Sequence, residues 1–182
     1  PRSVLDALNQ QLLGDVVQRT PVSLTYAVLD AYQRTLTITN AGIPYPLMLT
    51  SSGECVEVEV GGYPLGSTKL GSDYVGKSID LHPNSAVVLY SDGIDEARND
   101  AGETYGLSRL PSIVAGSMDL SAKDLADLIL QDVLNYTEHA RYDDMTLVVI
   151  KAKEAITEEY QQENRAYQLV PESLKTQIRK EQ

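Results

Sequence analysis

The chain of 182 residues has no Phe, no Trp, one Cys and two His, and each shortage closes off a class of protein. A single thiol cannot form an intrachain disulfide, so a disulfide-stapled fold is excluded and a reducing compartment is expected. Cys55 stands in the alternating run Cys55-Val56-Glu57-Val58-Glu59-Val60 and reads as a small core hydrophobe. His82 and His139 sit in polar turns with no second His or Cys at ligand spacing, which argues against zinc. Basic residues are also short, 15 Lys and Arg against 26 Asp and Glu, for a net charge of -11. Nucleic acid and anionic membrane both require a basic face, so neither is expected as a partner. There is no apolar run of membrane-spanning length and no signal-like start, and the expected location is the cytoplasm, without direct membrane contact. What replaces the missing aromatics is 11 Tyr, whose hydroxyls need water or a partner wherever the rings pack.

The length suits one domain with a sizeable core. Val4, Leu5, Leu8 and Leu12 recur at helical spacing behind Ser3, with Asp6 as capping-box partner, so an amphipathic helix opens the chain and stops near Gly14. Alternation from Val22 to Val28 and around Leu36 and Ile38 predicts an antiparallel hairpin. Further strands are expected at Tyr45 to Thr50, Cys55 to Val60, Lys77 to Leu81 and Ser85 to Ser91, with turn signals at Ser52-Gly53, Gly61-Gly62 and Pro83-Asn84. That spacing suggests a β-meander. A second helix starts at Ser121, with Asp124 as reciprocal cap and Leu125, Leu128, Ile129, Val133 and Tyr136 on one face. Beyond Lys153 the chain turns to Glu, Gln, Lys and Arg, near neutral in sum, with Pro171 interrupting a thin stripe of Ile156, Tyr160 and Tyr167. The expected division is therefore a domain at 1–152 and a charged helical extension at 153–182. As a functional element the extension is a linker or a dimerising helix that makes a homodimer; as a bland one it is a solvated terminal helix.

Gly71-Ser72-Asp73-Tyr74-Val75-Gly76-Lys77-Ser78 matches the phosphate-binding loop pattern letter for letter, but its context is wrong. Such a loop opens a helix, whereas Ile79-Asp80-Leu81-His82-Pro83 alternates toward a proline, and Asp73 would repel phosphate. A surface loop leading into a strand is the better reading.

Two acidic segments carry more chemistry. Ala86-Val87-Val88-Leu89-Tyr90 leads into Ser91-Asp92-Gly93, and Asp143-Asp144 leads into Met145-Thr146-Leu147-Val148-Val149-Ile150, so each sets a carboxylate at the end of an apolar, strand-like run. Two rigid strands can hold two carboxylates close together, and hard cations such as Mg²⁺ and Mn²⁺ take oxygen ligands of that kind. Either segment alone is more often a plain turn, because Asp bonds its own backbone and Gly accepts positive φ. Asn40 and Gly42 after a strand carry the same two readings, and Glu96 with Arg98 suggests a structural ion pair beside Asp92.

The surrounding text resembles a family. Val22-Ser23-Leu24-Thr25-Tyr26-Ala27-Val28-Leu29-Asp30, Asn40-Ala41-Gly42-Ile43-Pro44, Tyr63-Pro64-Leu65-Gly66, Leu89 to Arg98, Gly102-Glu103-Thr104-Tyr105-Gly106 and Asp143-Asp144-Met145-Thr146 are similar to the bacterial PPM-type protein serine/threonine phosphatases of the SpoIIE/RsbU branch. The likeness runs over roughly positions 1 to 152, in the family's order and spacing. It implies an α+β fold, an antiparallel β-sheet sandwich flanked by helices in an αββα arrangement. It also implies metal-dependent hydrolysis of phosphoserine or phosphothreonine on a bacterial regulatory protein, by a water activated between two Mn²⁺ or Mg²⁺ ions. By motif, Asp92 and Asp143 take the catalytic and metal positions, Asp144 is a further metal candidate, and Asn40, Gly42 and Gly93 fall on the cleft rim. The implied partners are a phosphorylated protein substrate, such as an anti-sigma-factor antagonist, and an upstream sensor domain. The family's first metal motifs precede the opening helix and nothing here matches them, so the chain is expected to be the C-terminal part of the domain with its N-terminal strands missing. Ile43 stands where many relatives carry His. The alternative is a non-catalytic, pseudophosphatase binding module or an inactive fragment lacking those motifs.

Overall fold

The structure, a computed structural model, describes residues 1–14, 21–67, 74–138 and 143–153. Apart from Lys153, the expected extension at 153–182 lies outside the described residues, as do His139 and residues 71–73 of the rejected phosphate loop. In chain order the elements are α1 (Arg2–Gly14), β1 (Leu24–Asp30), β2 (Thr35–Ala41), β3 (Leu47–Leu49), β4 (Cys55–Glu57), β5 (Gly76–Asp80), β6 (Ala86–Tyr90), α2 (Asp92–Asp95), α3 (Tyr105–Ser108), α4 (Leu110–Ala115), α5 (Ala122–Tyr136) and β7 (Leu147–Lys151). Lys77 and Ser78 thus belong to a strand, and Lys77 is exposed.

The hairpin of β1 and β2 forms in the register Leu24↔Ala41 to Asp30↔Thr35. Its turn is closed by Asp30 Oδ1, which accepts from the N–H groups of Tyr32 and Gln33 at 3.0 and 2.8 Å. The expected meander does not form. The strands make two antiparallel sheets, ordered β1-β2-β5 and β4-β3-β6-β7, so β5 returns to β2 and β6 inserts between β3 and β7. The reason lies in β6: Ala86, Val87 and Val88 are all fully buried, and a strand apolar on both faces needs an interior position with cover on each side.

Period-two alternation then sorts the layers. Val87 and Leu89 join Leu36, Ile38 and Met48 in the apolar layer between the sheets. Ala86, Val88 and Tyr90 point the other way with Leu47 and Leu49, onto Ile94, Leu110, Leu125 and Ile129 of the helices that follow β6. On the far face, Leu5, Leu8 and Leu12 of α1 pack on Ala41, Leu65 and Tyr74. The result is helix, sheet, sheet, helix, the α+β sandwich that the resemblance implied.

Local expectations are corrected at three points. α1 begins at Arg2, so Ser3 lies inside the helix rather than capping it, and the first turn is closed by Pro1 O accepting from Val4 N–H at 3.0 Å. β3 and β4 are shorter than the alternation suggested. β7 is the edge of its sheet, with Val148 47% exposed, so its apolar run did not mean burial on both faces. α5 is capped as expected at its start: Ser121 Oγ accepts from Asp124 N–H at 3.1 Å and lies 2.6 Å from Asp124 Oδ2.

The helical layer is tied by Arg109, which the sequence did not single out. Its Nε and Nη2 donate to both carboxylate oxygens of Asp132 on α5, at 2.6 and 2.8 Å. Its guanidinium lies 5.7 Å from the ring centre of Tyr136, which meets Tyr105 edge-on at 5.4 Å. Two-pronged geometry lifts such a pair above the near-zero value of an ordinary surface pair, although the Arg109 side chain is half exposed and solvent discounts it. Arg109→Ala is expected to cost about 1 kcal/mol and lower Tm by about 2–4 °C. An unchanged Tm by differential scanning calorimetry would show that this tie is idle.

Candidate functional site

β6 and β7 are neighbours in the register Tyr90↔Leu147, and their pairing runs one step past both strands into the acidic segments. Ser91 N–H donates to Thr146 O at 3.0 Å. The Ser91 hydroxyl then works in both directions, accepting from Thr146 N–H at 2.9 Å and donating to Asp144 O at 3.2 Å. The adjacent Gly93 must be glycine for a steric reason: a Cβ there would sit 2.3 Å from Asp144 O. Ser91 and Gly93 thus bring the backbone of 91–93 against that of 143–146, which neither sequence segment reveals alone.

Asp92 opens the single-turn helix α2, in which Ile94 N–H donates to Ser91 O and Glu96 N–H to Asp92 O. Asp92 Oδ1 accepts from Gly93 N–H at 3.0 Å, and Asp143 Oδ1 accepts from Asp144 N–H at 2.7 Å. Each carboxylate is thereby oriented by the next residue's amide, with its second oxygen left for a ligand. Both residues line one cavity of about 530 Å³, with Gly93, Glu96, Met145, Arg98, Asp100 and Gly102 also in its wall.

The other expected site residues are placed differently. Asp144 contributes its carbonyl to the contact with Ser91, and its side chain does not line the cavity. Asn40, expected on the rim, lines a separate cavity of about 510 Å³ with Ile43, Tyr45, Tyr63 and Tyr74. Its amide is spent on a turn, donating Nδ2–H to Ile43 O at 2.6 Å and accepting from Ile43 N–H at 3.0 Å. Gly42, at φ +81°, continues that turn, and a side chain there would meet Pro64 at 2.5 Å. Among the described residues Glu96 and Arg98 form no ion pair, because the Arg98 Nη1–H donates to Gly102 O at 2.9 Å instead. Arg98 thus lines the cavity without the expected pairing to Glu96.

The electrostatics are those of a crowded acidic patch. Burial first, then the carboxylates of Glu96, Glu57 and Asp92, push the Asp95 carboxyl above its ordinary range. The Cys55 thiol is pushed up to about 11, by burial and then by Glu57, which leaves it protonated and unreactive at neutral pH. The donor set suits a hard dication in kind, being carboxylate oxygen throughout. It is small in number: among the described residues no three His, Cys, Asp or Glu side chains come together around one point. Asp92 and Asp143 would fill two positions of a roughly six-coordinate ion, and water, substrate oxygens or residues outside the described set would fill the rest.

Comparison with known proteins gives a consistent picture. Residues 1–153 match the family described as Stage II sporulation protein E (SpoIIE). The chain is 27% identical over 158 residues to the phosphoserine phosphatase RsbU of Bacillus subtilis, covering 84% of this chain and 45% of that protein. In structure it resembles the RsbU and RsbW domains of Rv1364c from Mycobacterium tuberculosis, with a TM-score of 0.71 at 23% identity, over 85% of this chain and 43% of that one. It also resembles the phosphatase domain of SpoIIE from Bacillus subtilis, determined from an Mn-presoaked crystal, with a TM-score of 0.62 at 16% identity, over 84% of this chain and 74% of that one. The chain thus spans less than half the length of RsbU.

Proposed function

Because the chain belongs to the SpoIIE family of PPM-type phosphatase domains, we propose that its cavity hydrolyses phosphoserine or phosphothreonine on a regulatory protein with the help of Mn²⁺ or Mg²⁺. The observation that carries the reading is the convergence of Asp92 and Asp143 on one cavity, held there by the contacts of Ser91 and Gly93 with the 143–146 segment. A dication held by these carboxylates would supply a lowered water pKa and neutralisation of phosphoryl charge. The chain's own residues fix the two carboxylates in position: Gly93 N–H and Asp144 N–H each hold one oxygen of a pair, so no reorientation is needed as charge develops. The likeness to RsbU, a phosphoserine phosphatase, supports phosphoserine as the substrate group, and an anti-sigma-factor antagonist is the kind of phosphoprotein proposed. The work is proposed to be cytoplasmic, in keeping with one unpaired thiol and with no helix, among the described residues, long and apolar enough to cross a membrane. Residues 1–152 are proposed as the catalytic part and 153–182 as an extension to it.

The test is release of phosphate from a phosphoserine protein by the chain in Mn²⁺. Turnover is expected to stop with EDTA and to return when Mn²⁺ is restored in excess. Turnover that continues in EDTA would defeat the metal reading, and no turnover in saturating Mn²⁺ would favour a binding module that has kept only the fold.

A further inference from the structure

The cavity that holds Asp92 and Asp143 also has Glu96 and Asp100 in its wall, and among the described residues its one lining cation is Arg98. An exposed arginine beside four carboxylates would ordinarily pair with one of them. Among the described residues Arg98 pairs with none, and the one polar contact of its guanidinium is the hydrogen bond from Nη1 to Gly102 O. That contact belongs to a laced hairpin. Arg98 bridges Thr104, Asn99 N–H donates to Glu103 O, Gly102 N–H donates to Asn99 O, and the Asn99 side chain both donates to Glu103 Oε2 and accepts from Glu103 N–H, each at 2.9 Å. The guanidinium is thus anchored at one nitrogen on a braced loop, and its other N–H donors remain unspent.

We propose that Arg98 is the phosphate-holding residue of this cavity, binding the phosphoryl oxygens of the substrate and of the phosphate released. The inference rests on the hydrolytic reading of the site and adds a residue to it. A phosphate monoester carries oxygens that dications do not all cover, and a planar, permanently charged fork fits two of them at once where a lysine offers only a point charge.

The test measures binding by isothermal titration calorimetry, with inorganic phosphate and a phosphoserine peptide as probes in saturating Mn²⁺, and Mn²⁺ alone as a separate titration. Arg98→Gln removes the charge and keeps a polar amide at the position of Arg98 Nε, giving up only one exposed hydrogen bond to Gly102 O. It is expected to weaken both phosphate probes by at least about 10-fold, with Tm and Mn²⁺ affinity unchanged, and Arg98→Lys should fall between it and the parent. Arg109→Gln removes an arginine that ties the helical layer and does not line the cavity, so it should lower Tm and change phosphate affinity by less than about 3-fold. Arg98→Gln binding phosphate like the parent, or Arg109→Gln weakening it as much, would overturn the proposal and leave Arg98 as a hairpin staple. Failure of the parent to bind either probe would overturn it too. The two readings fail separately: Mn²⁺ bound through Asp92 with no effect of Arg98→Gln retains the metal site and removes the clamp. Arg98-dependent phosphate binding without Mn²⁺ affinity does the reverse.

Discussion

Replacing Asp92 or Asp143 by Asn is expected to leave the fold intact while Mn²⁺ affinity and Mn²⁺-dependent phosphate release each fall by at least about 100-fold. The fold survives because both side chains are exposed and each makes, among the described residues, one hydrogen bond, to the amide of the next residue. An asparagine Oδ1 accepts that same bond, so the local turn is retained. What is lost is the anionic oxygen left for a metal. Losing a partner that only orients a ligand commonly costs 10- to 100-fold, on the order of one or two decades, and losing a ligand from a set of two should cost at least that. Calorimetric titration of Mn²⁺ gives a readout that does not depend on turnover. Unchanged Mn²⁺ affinity in both variants would remove these carboxylates from the metal site, whatever the activity. The two carboxylates among the described residues make by themselves a weak chelator, so high Mn²⁺ is expected to be needed for turnover.

The second large effect is expected at Gly93. A methyl group there would stand 2.3 Å from Asp144 O and 2.9 Å from Asp144 C, both backbone atoms that cannot rotate away. Relief requires parting the 91–93 backbone from the 143–146 segment, which also strains the two hydrogen bonds of the Ser91 hydroxyl. Overpacking of this kind costs about 1–3 kcal/mol before any lost hydrogen bond is added, so Gly93→Ala should lower Tm by roughly 5–10 °C. It should weaken Mn²⁺ binding as well, because Asp92 and Asp143 move apart. Gly102→Ala is the control: its φ of +79° carries a conformational cost, but a Cβ there meets nothing within 4 Å. Only about 1 kcal/mol is expected from it. If Gly93→Ala were no worse than Gly102→Ala, the two acidic segments would not be in contact.

The elements that could be read along the chain were those whose signal is local. Helix α5 shows its cap at Ser121 and its apolar stripe within fifteen consecutive residues. The hairpin of β1 and β2 is written in alternation across a short polar link, and β6 in a continuous apolar run. The short helices α2, α3 and α4 left no such trace, because one or two turns carry too few residues for a periodic stripe and are held by packing on β3 and β6.

By itself, then, the sequence determined the acidity of the domain and the lack of an intrachain disulfide, its resemblance to the family supplied the layered α+β class, and its apolar runs singled out Asp92 and Asp143 as candidates. Tertiary structure decided what those residues face. Sheet order depends on which strand must be buried on both faces, a global competition that moved β6 between β3 and β7 and left β7 at an edge. The contact of Gly93 with Asp144 joins residues about fifty positions apart, and the bond from Arg98 to Gly102 turns an expected ion-pair partner of Glu96 into a wall of the cavity. Asn40 was drawn toward the metal cleft by its motif, yet its amide is consumed by the Ile43 turn beside a different cavity. A motif specifies which side chains are available; the distances that convert them into a site come only from the packing of the strands that carry them.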